Sequence, residues 1–392
     1  METRMKIGIP REIMLNERRV AATPDTVGKI VKLGFDVMIE SGAGSGIFAR
    51  DEQYAKAGAT VVSSVVELFE KADVILKVKQ PGLNRSTGKH EVEMMRPGSM
   101  LVTFLHPASP TSRECVERLV SRKITSFTMD SIPRTPRAQA MDALTSMSTI
   151  TGYKSVISAA ARLPIFVPMM GTAIGMLKPA RVLVVGCGVV GLQAIATAKR
   201  LGAVVECADI RPEACEEGRS LGGKVVGFEV PPELARGEGG YALALPKEWL
   251  AREREALAPF VENADVVILS ALVPGEVAPI IVTEKMVSKM RPGSVIVDVS
   301  IDQGGNCEQT RPGEETVVHD VLVSGVANIP GSVPVHATHL YATNMVNFVT
   351  NLFAGGPRKI NWDDEIVRET LVTREGKLVH KGTLKALGGA GR

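Results

Sequence analysis

Residues 182–185 are Val-Leu-Val-Val, and Gly186-Cys-Gly-Val-Val-Gly191 follows at once. A helix-forming run, Leu192–Leu201, closes at Gly202, and a second strand-like run, Ala203–Ala208, ends in Asp209. A buried strand that turns through glycines into a helix and returns as a neighbouring strand is a βαβ unit. Such a unit commits the chain to a parallel sheet with helices on its faces. The glycine spacing adds chemistry to the fold. Gly186 makes the tight turn, Gly188 lets backbone approach a pyrophosphate, and Gly191 lets the helix pack against the sheet. The helix start offers free N–H groups and partial positive charge to phosphates. Asp209 stands where a carboxylate accepts both hydroxyls of an adenosine ribose, and it repels a 2′-phosphate. The pattern therefore predicts NAD(H) in preference to NADP(H). Arg211 is near enough to pair with such a phosphate but reads as a solvated residue ahead of Pro212.

The same alternation of strand and helix occurs twice. Strands are expected at Met5–Ile9, Val37–Glu40, Val74–Val78, Met100–Phe104 and Ile124–Met129, with helices at Pro24–Leu33, opened by Thr23, and Val65–Ala72. A second series follows the clasp at Val204–Ala208, Lys224–Phe228, Val266–Ala271, Ser294–Val299 and Val321–Gly325. Asp142–Leu163 reads as a long helix between the two series, and Leu340–Phe353 as a helix that crosses back. The expected fold is α/β: two Rossmann-like doubly wound parallel-sheet domains with a cleft between them. The expected domains are 1–140 completed by 340–392, and 141–339.

Composition removes several alternatives. A net charge of +3 without a long basic run gives no footprint for nucleic acid. Five scattered cysteines without CxxC pairs read as reduced thiols, with neither a disulfide frame nor a metal site. Cys187 is read simply as a small residue inside the turn. Met1–Pro10 begins a strand and does not have the form of a signal peptide. Leu163–Leu177 and Val182–Ala198 are uncharged, but each is shorter than the ~20 residues of a membrane span. The first is broken by Pro164, Pro168, Gly171 and Gly175 and is expected to pack at a domain or subunit contact. A soluble chain is expected.

In open α/β sheets, ligands gather at the carboxyl ends of strands. The charged and polar residues that follow strands are Lys77, Lys79, His106, Arg134, Arg137, Gln139, Asp142, Asp302 and Asn306. Taken together they read as cleft residues.

Several of these motifs are recognisable. Over nearly its whole length the chain resembles the soluble NAD(H)-binding alpha subunit of proton-translocating NAD(P) transhydrogenase, a family similar in fold to alanine dehydrogenase. The resemblance rests on Ile7-Gly-Ile-Pro-Arg-Glu12, Arg19-Val-Ala-Ala-Thr-Pro24, the clasp and its helix, Ala271-Leu-Val-Pro-Gly275 and Gly304-Gly-Asn-Cys307. Pro133-Arg-Thr-Pro-Arg-Ala-Gln-Ala-Met-Asp142 discriminates best. The resemblance implies that Arg134, Gln139 and Asp142 hold the nicotinamide end, with Thr145 where family members have serine. Tyr241, in Gly239-Gly-Tyr-Ala242, would be the residue that closes over the nucleotide. The implied NAD(H) contacts continue through Gly186, Gly188, Val189, Val190, Gly191, Asp209, Ile210, Arg211, Ala271 and Leu272. Hydride transfer between two nicotinamides needs stacked rings and excluded water, not an acid or base. Gln139 suits the carboxamide, and an Arg134–Asp142 pair would set the loop.

The resemblance also implies partners: a second copy of the chain, membrane-spanning subunits and an NADP(H)-binding domain. The chain would then be cytoplasmic and peripheral on the inner face of the plasma membrane. An alternative comes from alanine dehydrogenase, in which Arg19 and Lys79 would hold a substrate carboxylate, His106 would act as acid and base, and Asp302 would lie by the nicotinamide. Ser300–Gly305 and Val326–Pro330 also resemble that enzyme. The Arg-Ala-Gln loop and the run Asp363–Arg374 favour transhydrogenase. A non-catalytic NAD-binding module would need the clasp but none of the convergent polar groups.

Overall fold

A computed structural model describes residues 4–237, 242–273 and 277–389. The chain divides into two compact units, Met1–Met147 with Pro330–Arg392, and Ser148–Ile329.

The first unit opens with β1 (Lys6–Ile9), α1 (Pro24–Lys32), β2 (Asp36–Glu40), α2 (Asp51–Lys56), β3 (Ala59–Val62), α3 (Val65–Lys71) and β4 (Val74–Leu76). A small hairpin of β5 (Leu83–Asn84) and β6 (Lys89–His90) leads to α4 (Glu91–Met94), β7 (Met100–Thr103), α5 (Arg113–Ser121) and β8 (Thr125–Thr128). α6 (Ala143–Arg162) carries the chain from this unit into the next.

The second unit begins with the hairpin β9 (Met170–Thr172) and β10 (Gly175–Leu177), then β11 (Arg181–Val185), α7 (Val189–Arg200), β12 (Val204–Ala208), α8 (Pro212–Ser220) and β13 (Lys224–Val225). It continues with α9 (Pro232–Ala235), α10 (Lys247–Asn263), β14 (Val266–Leu269), α11 (Glu284–Val287), β15 (Val295–Asp298), β16 (Glu315–Val318) and β17 (Val321–Ser324). α12 (Pro334–Leu352), α13 (Glu365–Thr370), β18 (Leu371–Arg374), β19 (Lys377–Leu378) and α14 (Lys381–Gly389) return to the first unit.

Both main sheets are parallel at their centres. Their orders are β19-β18-β8-β7-β4-β1-β2-β3 and β13-β12-β11-β14-β15-β17-β16. The α/β class with doubly wound sheets expected from the alternating runs is present. In β11 the buried residues alternate between layers. Leu183 and Val185 pack with Leu257, Val261 and Leu269, whereas Val182 and Val184 pack with Ala194, Ile195 and Ile268. Burial on both faces is why the strand reads as an unbroken apolar run. In the first unit Leu68, Phe69, Ile75, Leu101 and Leu119 form the corresponding core. Local signals act as expected at α1, where the Thr23 hydroxyl accepts from the Thr26 N–H at 3.2 Å and Pro24 begins the helix.

Several elements differ from expectation. β3 and the antiparallel edges β16, β18 and β19 are absent from the predicted strands; each is short, and β16 is exposed along much of its length. β13 is two residues long rather than Lys224–Phe228, because Gly227 turns away at φ +107°. α12 starts at Pro334, six residues before Leu340, since proline is well suited to a first helical turn. Leu163–Leu177 contains the β9–β10 hairpin, whose strand residues are all exposed.

Candidate functional site

In the second unit the clasp takes the form its glycines require. Gly186 adopts φ +90°, and a Cβ there would lie 2.7 Å from the Ser270 carbonyl. A Cβ on Gly191 would fall 1.8 Å from the Gly186 oxygen. Gly188 is different: a Cβ there would meet nothing within 4 Å. The protein does not require glycine at 188, so the open space fits a close-approaching ligand. Gly188 is the N-cap of α7 and supplies no side-chain cap, which leaves the first N–H groups of that helix for phosphate.

A fourth glycine, remote in sequence, belongs to this construction. Gly152 on α6 lies so close to α7 that a Cβ would stand 2.2 Å from the Val190 oxygen. The sequence carries no signal for it, since an isolated glycine inside a helix has no fixed spacing from the clasp.

Asp209 immediately follows β12 and has its side chain 5% exposed. Its Oδ2 accepts the Cys187 N–H at 2.7 Å, and its Oδ1 accepts the Arg211 N–H at 2.8 Å. The Arg211 guanidinium then pairs with both oxygens, Nε to Oδ1 at 3.0 Å and Nη2 to Oδ2 at 2.9 Å. Arg211 is therefore not the solvated residue expected ahead of Pro212. It is held against Asp209 because an arginine two residues on reaches both lone-pair directions. Ribose hydroxyls must share Asp209 with it or displace it.

Ala271 and Leu272 follow β14, and Asn306 holds the start of that loop. Fully buried, it accepts the Ala271 N–H at 3.0 Å and donates to the Ala271 and Pro279 carbonyls at 2.9 and 2.8 Å. Asp298 secures it in turn by accepting the N–H groups of Asn306 and Cys307. Asn306 thus serves as a clamp rather than as the cleft side chain expected. Asp302 lies exposed in a short turn of this unit, Ile301–Gln303. Tyr241 lies outside the described residues.

In the first unit the Arg134–Thr145 segment is fastened from below. Arg137 donates to Asn351 at 3.0 Å and pairs with Asp364 at 2.7 Å. Asn344 and Asn347 both donate to the Ala140 carbonyl at 3.0 Å. The three asparagines, at i, i+3 and i+7 on α12, form a polar stripe that the sequence shows but whose purpose it does not disclose. Gln139 remains exposed. Asp142 starts α6: its Oδ1 accepts the Thr145 N–H at 2.8 Å, and its Oδ2 accepts the Thr145 hydroxyl at 2.6 Å. Both carboxylate oxygens of Asp142 are thus engaged in capping the helix. Thr145 in place of serine preserves that hydroxyl contact.

The same unit holds Arg19, Lys79 and His106. Arg19 is buried in a two-armed pair with Glu17, with Nε to Oε1 at 2.8 Å and Nη2 to Oε2 at 2.5 Å. His106 sits at φ +46°, with its Nδ1 2.8 Å from Asp130 Oδ1. The Lys79 N–H donates to Glu12 at 3.3 Å. Lys77, expected among the cleft residues, is instead fully buried between Glu12 and Glu91 at 3.4 and 3.2 Å. A cation withdrawn from water in this way is retained by its carboxylates.

Two α/β units, one of them with a ligand-ready glycine turn ending in a ribose-type aspartate, define a dinucleotide-dependent oxidoreductase. Residues 8–151 match the family described as alanine dehydrogenase/PNT, N-terminal domain, and residues 155–381 match its C-terminal domain. The chain belongs to the alanine dehydrogenase/PNT family and binds NAD(H). It is 43% identical over 379 residues to an NAD(P) transhydrogenase alpha-subunit chain of Rhodospirillum rubrum, covering 96% of this chain and 98% of that protein. The solved transhydrogenase from Sinorhizobium meliloti superposes with a TM-score of 0.84 at 38% identity, covering 95% of this chain and all of that one. Alanine dehydrogenase of Mycolicibacterium smegmatis is more distant, at 34% identity over 391 residues, with 98% and 97% coverage.

Proposed function

We propose that this chain is the NAD(H)-binding alpha subunit of a proton-translocating NAD(P) transhydrogenase and exchanges hydride with NADP(H) held on a partner. The reading is carried by the clasp ending in Asp209, within a chain related along almost its whole length to transhydrogenase alpha subunits. Bound NADH supplies the hydride; the protein's role is to hold and orient. Asp209 takes the ribose, the free N–H groups of α7 take the pyrophosphate, and Ala271 and Leu272 line the path beyond β14. The Arg134–Thr145 segment, fixed by Asn344, Asn347 and Arg137, presents Gln139 to the nicotinamide carboxamide. Arg134 and Asp142 flank it, and Tyr241 closes over the nucleotide. None of these groups has to move a proton.

No helix among the described residues is long and apolar enough to cross a membrane. Proton movement falls to membrane-spanning partner subunits, and this chain works peripherally on the inner face of the plasma membrane. The R. rubrum relative carries the name of a subunit, which supports partner chains. A second copy of this chain completes the assembly by covering the exposed hairpin side chains Ile174, Met176 and Leu177.

The alanine dehydrogenase alternative retains Arg19, Lys79, His106 and Asp302. It is disfavoured because alanine dehydrogenase is the more distant relative, and because one edge of the Arg19 guanidinium, Nε and Nη2, is already spent on Glu17. The test mixes the chain with an NADP(H)-binding transhydrogenase domain and follows reduction of acetylpyridine-NAD. Gln139→Asn should slow transfer about tenfold or more while changing NADH affinity less than about threefold. Robust L-alanine oxidation that disappears in His106→Ala would replace this reading with the alternative.

A further inference from the structure

The buried residues of α10 are Glu253, Leu257 and Val261, one stripe at i, i+4 and i+8. Two of them are core residues. Leu257 and Val261 pack with Leu183, Val185 and Ala208, and a Cβ on Gly227 would lie 3.5 Å from Leu257 and 3.8 Å from Ala208. Glu253 stands one turn nearer the helix N-terminus. α10 leads into β14 in a parallel sheet, so it runs against the strands and its early turns lie at their carboxyl ends. That puts Glu253 just past Ala208, beside Asp209 and the adenosine end of the clasp. It is 7% exposed, yet it has no hydrogen bond or ion pair with any described residue. Its helix neighbour Arg254 donates to the Ile280 carbonyl at 2.8 Å. A buried polar group without a partner is costly, and a fold tolerates one where a ligand completes it.

We propose that Glu253 is the adenine-reading residue of this clasp. The carboxyl oxygen accepts from the exocyclic amino group of the base, and the carboxyl O–H donates to the adjacent ring nitrogen. The pairing needs the neutral acid. Burial, then the Asp209 charge, push the Glu253 carboxyl up to about 7, while Arg254 draws it down. The other charges on elements packed against α10 are Arg181 of β11, paired with Glu206, and Glu284 and Lys285 of α11, of which Glu284 is paired with His319.

This proposal rests on the reading that the clasp holds NAD(H), and the experiment separates the two. NADH and its 1-deazaadenine analogue, in which C–H replaces the ring-nitrogen acceptor, are titrated by fluorescence at pH 6 and pH 8.5. The proteins are the parent, Glu253→Gln and Glu253→Leu. The parent should favour NADH by about tenfold at pH 6, with the preference shrinking at pH 8.5. Glu253→Gln, which still offers a donor and an acceptor, should keep NADH affinity and lose the pH dependence. Glu253→Leu should reduce the preference below about threefold at both pH values. Undiminished preference in folded Glu253→Leu, or none in a parent that binds NADH, overturns the role of Glu253 alone. A parent that fails to bind NADH overturns the clasp reading as well.

Discussion

Gly191→Ala is the sharpest test of the clasp, because the obstruction is backbone and cannot rotate away. The new Cβ would lie 1.8 Å from the Gly186 oxygen, where real contacts do not fall below 3.0 Å, so α7 must retreat from β11 by at least 1.2 Å. The retreat disturbs Ala194, Ile195 and Ala198, which pack in the core beneath the helix. Overpacking of this kind costs about 1–3 kcal/mol. The same shift withdraws the first N–H groups of α7 from the pyrophosphate. Loss of two hydrogen bonds to charge, at about 1.5–3 kcal/mol each, weakens NADH binding by roughly a hundredfold or more. Gly188→Ala is the control: its Cβ meets nothing in the free protein, so binding should fall while thermal stability holds. NADH titration and calorimetry of both variants read the two effects separately. Folded Gly191→Ala that binds NADH within threefold of the parent, or Gly188→Ala that loses as much stability as Gly191→Ala, would refute the packing argument.

Asp209→Ala should weaken NADH binding roughly tenfold to a hundredfold and narrow the preference over NADPH, because Arg211 is then released toward a 2′-phosphate; equal affinities in the parent protein would sink the assignment. Glu253 has a folded-state value of about 7, above its ordinary 4.5, so its burial costs stability progressively as pH rises between those values, and the loss is complete above pH 7. Glu253→Gln should therefore raise stability at pH 8 by on the order of 3 kcal/mol and have little effect at pH 4, as read by urea unfolding at both pH values. Light scattering at micromolar concentration should give the mass of a dimer, and Ile174→Glu, at a hairpin position 97% exposed in the single chain, should shift it toward monomer.

Central strands are legible where both faces are buried, since β11 and β14 show as apolar runs and β12 as one broken only by Glu206, each bounded by glycine or acid. Edges are not. β16 alternates exposed and half-buried residues, and β18 gives only four residues to the pattern. In the clasp, the fingerprint glycines and Asp209 can be read because their spacing is local. Asn306 and Lys77 mislead because their partners, Ala271 and the Glu12–Glu91 pair, are set by tertiary geometry, whereas Arg211 misleads although its partner Asp209 is only two residues away; a polar residue after a strand looks the same whether it is spent on structure or left for a ligand. Asp142 shows the limit in the other direction. Asp-x-x-Thr before a helical run is a capping signal in its own right, and the resemblance to a nicotinamide-binding loop draws attention away from it.

The first unit is assembled from both ends of the chain, with the second inserted between them, and this has a consequence for synthesis. β8 gains its antiparallel neighbour only when Leu371–Arg374 has been made, and Tyr341 and Phe348 of α12 are wholly buried within that unit. A nascent chain can complete the nucleotide-binding unit while the earlier strands still wait for these pieces. Until then it carries an open sheet edge beside uncovered aromatic contacts, the state in which chains most readily pair with the wrong neighbour. Slow translation through the stretch from α12 to β18, or a nonsense codon after Ile329, would thus produce a chain whose nucleotide unit is intact but whose remainder is prone to aggregate.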